Sequence, residues 1–176
     1  MINQSFLNNY FSTSWNVNPA QYIYSGYAIL NKINDDDMVL DVGCGYHPFK
    51  GKLKNIIGID PANNAADILT TIEDYIPDRL FDVAICFGSI NFGDDSIIEK
   101  QISKVNSCLK NKARIFWRCN PGLHDHKNEE CKQIEFYPWT FERLNEYAKM
   151  HGFIQKNSAM DTNKNNIRLY TEWHRN

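Results

Sequence analysis

A three-layer α/β sandwich, with seven strands in a mostly parallel sheet that ends in an antiparallel hairpin, is the fold this sequence predicts. Three observations carry it. Apolar runs of strand length recur at 38–42, 55–60, 81–87 and 112–118, several of them nearly continuous, as strands covered on both faces require. Between the last two runs, and again after them, apolar residues recur at helical spacing. Two strand-like segments separated by a polar turn, Phe153 to Ala159 and Ile167 to Trp173, close the chain.

In chain order, Met1 to Val17 scatters Phe6, Tyr10, Phe11 and Trp15 among polar residues, and reads either as a packing arm or as a lid over a site. Asn18-Pro19 opens a helix, asparagine capping it and proline suiting its first turn, with Tyr22, Ile23, Tyr27, Leu30 and Ile33 on one face beside the mouth of the site. Residues 1–34 are thus an N-terminal helical or lid segment, and 38–176 the core of a single domain. Ala66 to Leu69 is a short third strand. Asp94 or Asp95 caps a helix whose core stripe is Ile98, Ile102, Val105 and Leu109. After the fifth strand, a helix from Thr140 to His151 turns Phe141, Leu144, Tyr147 and Ala148 inward and stops at Gly152.

Composition sets outer bounds. A chain of 176 residues is one domain with an ample core. A net charge of -2, with lysines and arginines only in small local groups, argues against a general nucleic-acid binder. No apolar run is long enough to span a bilayer, and Met1 to Tyr10 lacks a signal-peptide core, so a cytoplasmic protein is expected. Five cysteines without a close pair read as reduced residues.

Met38-Val39-Leu40-Asp41-Val42-Gly43-Cys44-Gly45 is the most informative stretch: a buried-strand pattern runs into an acid and two glycines. Glycines permit positive φ in a sharp turn and let a ligand approach bare backbone amides. A carboxylate beside that turn would repel the pyrophosphate of a dinucleotide but would hold a cofactor bearing an ammonium group, such as S-adenosylmethionine. Asn55 to Asp60 is the next strand, and it ends in a second acid placed to take both ribose hydroxyls.

On Asp41-Val42-Gly43-Cys44-Gly45, Ile59-Asp60 and the strand Phe81 to Phe87 with its following loop, the chain resembles the class I S-adenosylmethionine-dependent methyltransferases, from about Met38 to the C-terminus. The resemblance implies the Rossmann-like methyltransferase fold and S-adenosyl-L-methionine as cofactor, with S-adenosyl-L-homocysteine as product. It implies that Asp41, Gly43, Cys44 and Gly45 hold the methionine end, Asp60 with Pro61 the ribose, Asp67 with Ile68 the adenine, and Phe87 with Gly88 the sulfonium side. The family often has a third glycine and a longer first helix. Here Tyr46-His47-Pro48-Phe49 follows, and the path from Asp41 to Asp60 is about one helical turn short, so a stunted helix is expected.

Methyl transfer needs an acceptor lone pair in line with the methyl group and free of its proton, so placement supplies most of the catalysis. Cys119 to His126 follows the fifth strand with a turn, two imidazoles and a carboxylate. His124 or His126 would serve as general base, or both are simply solvated loop residues. Cys119, His124, His126 and Cys131 are metal-ligand types at a spacing that matches no usual zinc pattern, so no metal is expected. Asn91, Arg118 and Asn120 would meet an acceptor from the loop rims, Arg118 through a carboxylate or phosphate or else in a structural ion pair. Phe136-Tyr137-Pro138-Trp139 reads equally as an acceptor wall, with the Tyr137 hydroxyl in it, or as a hydrophobic plug.

The acceptor is expected to be a small molecule or an exposed group of a macromolecule, with monomer and homodimer both open. Sequence-specific DNA binding is not expected. Amino-directed DNA methyltransferases carry an Asn-Pro-Pro-Tyr or Asp-Pro-Pro-Tyr sequence where this chain has Phe87-Gly88-Ser89-Ile90, and cytosine-C5 enzymes a Pro-Cys nucleophile in that loop. From another class, a catalytically silent module that binds S-adenosylmethionine or S-adenosylhomocysteine as a partner or regulator also suits the short first helix.

Overall fold

The computed structural model describes residues 3–15, 26–122, 129–163 and 166–175. Seven strands form one sheet in the order β3-β2-β1-β4-β5-β7-β6. They are β1 Val39–Val42, β2 Ile56–Asp60, β3 Ile68–Leu69, β4 Phe81–Phe87, β5 Leu109–Cys119, β6 Ile154–Asn163 and β7 Asn166–His174. β1 pairs in parallel with β2 on one side and β4 on the other, and β4 with β5; β7 runs antiparallel to both β5 and β6. The order therefore reverses at β1, which opens a crevice beyond the carboxyl ends of β1 and β4.

Helices cover the sheet as the apolar stripes require. Asp94 caps α2 (Asp95–Ser107), its side chain accepting from the Ile97 amide at 3.1 Å, and Thr140 caps α3 (Phe141–Met150) through the Arg143 amide. Ile98, Ile102 and Val105 of α2 join Leu144 and Ala148 of α3, Trp117, Trp139 and Trp173 in the larger core. Leu109, expected on the α2 stripe, instead opens β5, because the helix ends two residues earlier at Ser107.

Ile29, Ile33 and Phe49 pack against Val39, Val83, Ile85 and Phe116 on the other core. The described part of the first expected helix is a 3₁₀ turn at Tyr27–Lys32, which serves this face of the sheet and does not line the mouth of the site; Asn18, Pro19, Tyr22 and Ile23 lie outside the described residues. Between β1 and β2 the helix is absent. Residues 43–55 instead make consecutive turns, in which the His47 amide donates to Cys44 O and the Lys50 amide to His47 O. Phe49, 1% exposed, does the packing a first helix would do, edge-on to Tyr27 and Phe87.

At the N-terminus α1 (Gln4–Asn9) runs into a π-helical turn at Tyr10–Ser14. Leu7 and Tyr10 bury against Ile134, while Phe11 and Trp15 face Phe92 and Tyr46. Among the described residues no helix is long and apolar enough to cross a membrane.

Candidate functional site

A cavity of about 500 Å³ occupies the crevice at the strand reversal, a volume typical of small-molecule sites. Strand ends supply most of its wall. β1 delivers Gly43 and Gly45, both at positive φ (64° and 54°). The turn is tight: a Cβ on Gly43 would lie 2.3 Å from Ser89 Cβ on the loop after β4. β2 delivers Asp60 and Pro61, β4 delivers Phe87, Gly88 and Ser89, and β5 delivers Arg118 and Asn120. Gln4, Leu7, Asn8, Phe11 and Trp15 close the remaining side.

Asp60 joins two turns. One carboxylate oxygen accepts from the Gly45 amide at 2.9 Å, and the other from the Ala62 and Asn63 amides at 2.8 and 2.9 Å. The loop after β1 is thereby fixed against the loop after β2 by charge-assisted hydrogen bonds.

Asp41 lies beneath this turn, 3% exposed and outside the cavity lining. Burial, reinforced by the charges of Asp60 and Asp67, raises its pKa to about 8, so at neutral pH it is mostly protonated. Its Oδ2 is 3.7 Å from His47 Nδ1, and both atoms are buried without a hydrogen-bond partner. On its far side the imidazole reaches Asp67, which accepts from His47 Nε2 at 2.8 Å, the Gly58 amide at 2.9 Å and Lys50 Nζ at 2.5 Å. Although desolvation pushes Asp67 up, those donors prevail and bring its pKa down to about 2. Asp67 is thus committed to the β1–β2 connection. Neither it nor Ile68, exposed on the edge strand, lines the cavity; Thr70, Thr71, Ile72 and Glu73 take that place.

Of the residues expected at the cofactor, Gly43, Gly45, Asp60, Pro61, Phe87 and Gly88 come together in the cavity wall, and Asp41, Cys44, Asp67 and Ile68 do not. Burial, then the neighbouring carboxylates, pushes the Cys44 thiol up, which rules it out as a thiolate nucleophile. On the acceptor side Asn120 is in the wall, its amide donating to Asn91 Oδ1 at 3.1 Å. Tyr137 is 2% exposed and outside the cavity, its hydroxyl donating to Asp95 and accepting from Arg143 Nη1 at 2.5 Å. The 136–139 segment therefore divides: Phe136 lines the cavity, while Trp139 enters the core and donates to Ile90 O at 2.8 Å. His124 and His126 lie outside the described residues. Among the described residues no cluster of histidine, cysteine and carboxylate would hold a metal.

No family model matches the chain, and no curated protein matches it. Solved structures do. Magnesium protoporphyrin IX methyltransferase from Synechocystis, with S-adenosylmethionine bound, superposes at a TM-score of 0.76 over 100% of this chain and 98% of its own, at 14% identity. The fold is that of the S-adenosylmethionine-dependent methyltransferases. The Burkholderia thailandensis 1,6-didemethyltoxoflavin-N1-methyltransferase, bound to S-adenosylhomocysteine, gives 0.74 over 98% and 88% of the two chains at 14% identity. An N-methyltransferase from Bradyrhizobium japonicum, also with S-adenosylhomocysteine, gives 0.65 over 98% and 97% at 12%.

The lining fits such a cofactor. Gly43 and Gly45 present backbone to the cavity, and the Ser89 hydroxyl beside Gly43 is buried without a hydrogen-bond partner. Pro61 and Ile72 offer apolar surface next to the Asp60 carboxylate. The residues missed by sequence reasoning, Thr70 to Glu73, Gln101 and Arg168, reach the cavity through tertiary packing, and no local pattern marks them.

Proposed function

We propose that this chain transfers the methyl group of S-adenosylmethionine to a small-molecule acceptor. The supporting observation is the convergence of the Gly43–Gly45 turn, the Asp60 carboxylate and the Gly88–Ser89 loop on one cavity at the strand reversal. The Gly43 and Gly45 backbone and Ser89 would hold the methionine end and Asp60 the ribose, with Pro61 and Ile72 flanking the adenine. Asp41, neutral and buried, supports the turn from below and does not itself meet the ammonium group. The sulfonium supplies an activated methyl, and the protein's task is to exclude water and align the acceptor. Phe11, Trp15, Phe92 and Phe136 provide that exclusion.

Calorimetric titration of S-adenosylmethionine, S-adenosylhomocysteine and NADH into the purified protein tests the cofactor. Both adenosyl compounds are expected to bind and NADH to be ignored; the reverse would overturn the assignment. Asp60→Ala is expected to weaken S-adenosylmethionine binding by about 1.5–3 kcal/mol, because it removes the ribose acceptor and releases the Gly45 amide. Full affinity in that variant would displace the proposed ribose position. For the base, His124→Gln and His126→Gln are expected to leave cofactor affinity unchanged, with one of them lowering turnover by about 10²-fold or more. Equal turnover in both would retire the two histidines and point to an acceptor that attacks without a base.

A further inference from the structure

The cavity is divided in charge. Asp60 and Glu73 lie at its β2–β3 end, and Arg118 and Arg168 at its β5–β7 end. Three strand intervals separate β2 from β5 in the sheet, roughly 14 Å. That span leaves the second end beyond the proposed ribose position.

Strand register brings the two arginines together. Arg118 pairs with Tyr170 across β5 and β7, so Arg168, two residues along the same face of β7, is its diagonal neighbour. Both charges reach the buried Cys119 thiol, pulling its pKa down against the burial that raises it. Arg118 also adjoins the reacting end: it pairs with Phe87 on β4, and its carbonyl accepts from the Gly88 amide at 2.8 Å.

Aromatic rings wall the same cavity. Phe11, Phe92 and Phe136 all line the cavity, with ring centroids 5.5 Å apart from Phe11 to Phe92 and 5.5 Å from Phe92 to Phe136. Rings inclined at 52° and 54° to one another take an aromatic ligand through stacked and edge-to-face contacts, and a guanidinium fork recognises a carboxylate or phosphate through paired hydrogen bonds. In the β6–β7 register Arg168 stands opposite Asp161. A guanidinium has five donors, so an intramolecular partner does not exhaust it.

We propose that the methyl acceptor is a planar aromatic molecule carrying an anionic group, with its ring on the phenylalanine wall and its anion held by Arg118 and Arg168. This rests on the cofactor reading above and names the class of substrate for the same site.

The test uses the full chain saturated with S-adenosylhomocysteine and four probes sharing one ring system: 2-naphthoate, 2-naphthyl phosphate, 2-naphthalenemethanol and 2-naphthylmethylammonium. Calorimetry is expected to show at least one anion bound tenfold or more tightly than the alcohol, with the ammonium weakest. A preference for naphthoate over the phosphate would identify a carboxylate, and the opposite order a phosphate. Arg118→Gln and Arg168→Gln are each expected to weaken the preferred anion tenfold or more, leaving the alcohol and S-adenosylhomocysteine unchanged. Retained S-adenosylhomocysteine affinity certifies that each variant is folded. Equal binding of all four probes, or folded variants that keep the preference for the anion, would overturn the acceptor assignment alone. Failure of the native chain to bind S-adenosylhomocysteine would overturn the cofactor reading and this proposal with it.

Discussion

Gly43→Ala is expected to abolish measurable S-adenosylmethionine binding and to remove about 2–6 kcal/mol of stability. Two costs add. At φ 64° any other residue is strained by about 1–3 kcal/mol, and the new methyl would lie 2.3 Å from Ser89 Cβ and 3.3 Å from its Cα. Ser89 is on the loop after β4, so relief requires the β1 and β4 loops to part, and these loops form two walls of the cavity. Gly51 is the matched control: its φ is 76°, yet a Cβ there would meet nothing within 4 Å. Gly51→Ala should therefore lose only the conformational part, about 1–3 kcal/mol, and keep cofactor affinity. Denaturant melts and calorimetry on both variants decide this, and equal losses would refute the steric account.

Asp41→Asn is expected to gain stability over the native chain as pH rises. The native carboxyl titrates near 8 when folded, against 3.8 for the ordinary group. Below both values the carboxyl is neutral in either state and costs nothing. Between them only the unfolded chain releases its proton, so the native protein loses about 1.4 kcal/mol per pH unit from this group, and above about pH 8 the loss is complete. Asparagine keeps the shape and has no proton to release. The stability difference between variant and native chain should climb from pH 4 to 8 and then level off. Parallel stability profiles would show that Asp41 is charged in the folded protein. Asp67 acts in the opposite sense: its lowered pKa stabilises the fold above about pH 4, and this is lost as pH falls toward 2, where the two chains should lose stability together.

The fold was legible because its strands are long, apolar and separated by clear turn signals. Seven expected strands correspond to seven found, including the antiparallel pair at the end. Boundaries moved where pairing decides them: β5 begins at Leu109 because its end is matched to Phe81, which no local pattern announces. At the site, the glycines and Asp60 were legible because backbone chemistry demands those residue types at strand ends. The role of Asp67 was not, since its partners His47 and Lys50 are 20 and 17 residues away. One signal was present. Gly58 interrupts an apolar strand, and a glycine there marks a close approach: a Cβ on it would lie 2.5 Å from His47 Nε2. Arg168 reached the cavity only through the register of the final hairpin, a long-range pairing that composition and periodicity leave silent.

The missing helix between β1 and β2 bears on what the cavity rejects. Dinucleotide-binding folds aim a helix N-terminus at the pyrophosphate, and the aligned peptide dipoles there attract negative charge. In this chain the residues after Gly45 coil through turns around His47, Lys50 is paired with Asp67 outside the cavity, and the charged side chains lining that end are Asp60 and Glu73. That end of the cavity therefore offers an anion no electrostatic reward. Under the proposed cofactor assignment, discrimination between adenosine-containing cofactors begins with a helix that the backbone leaves out.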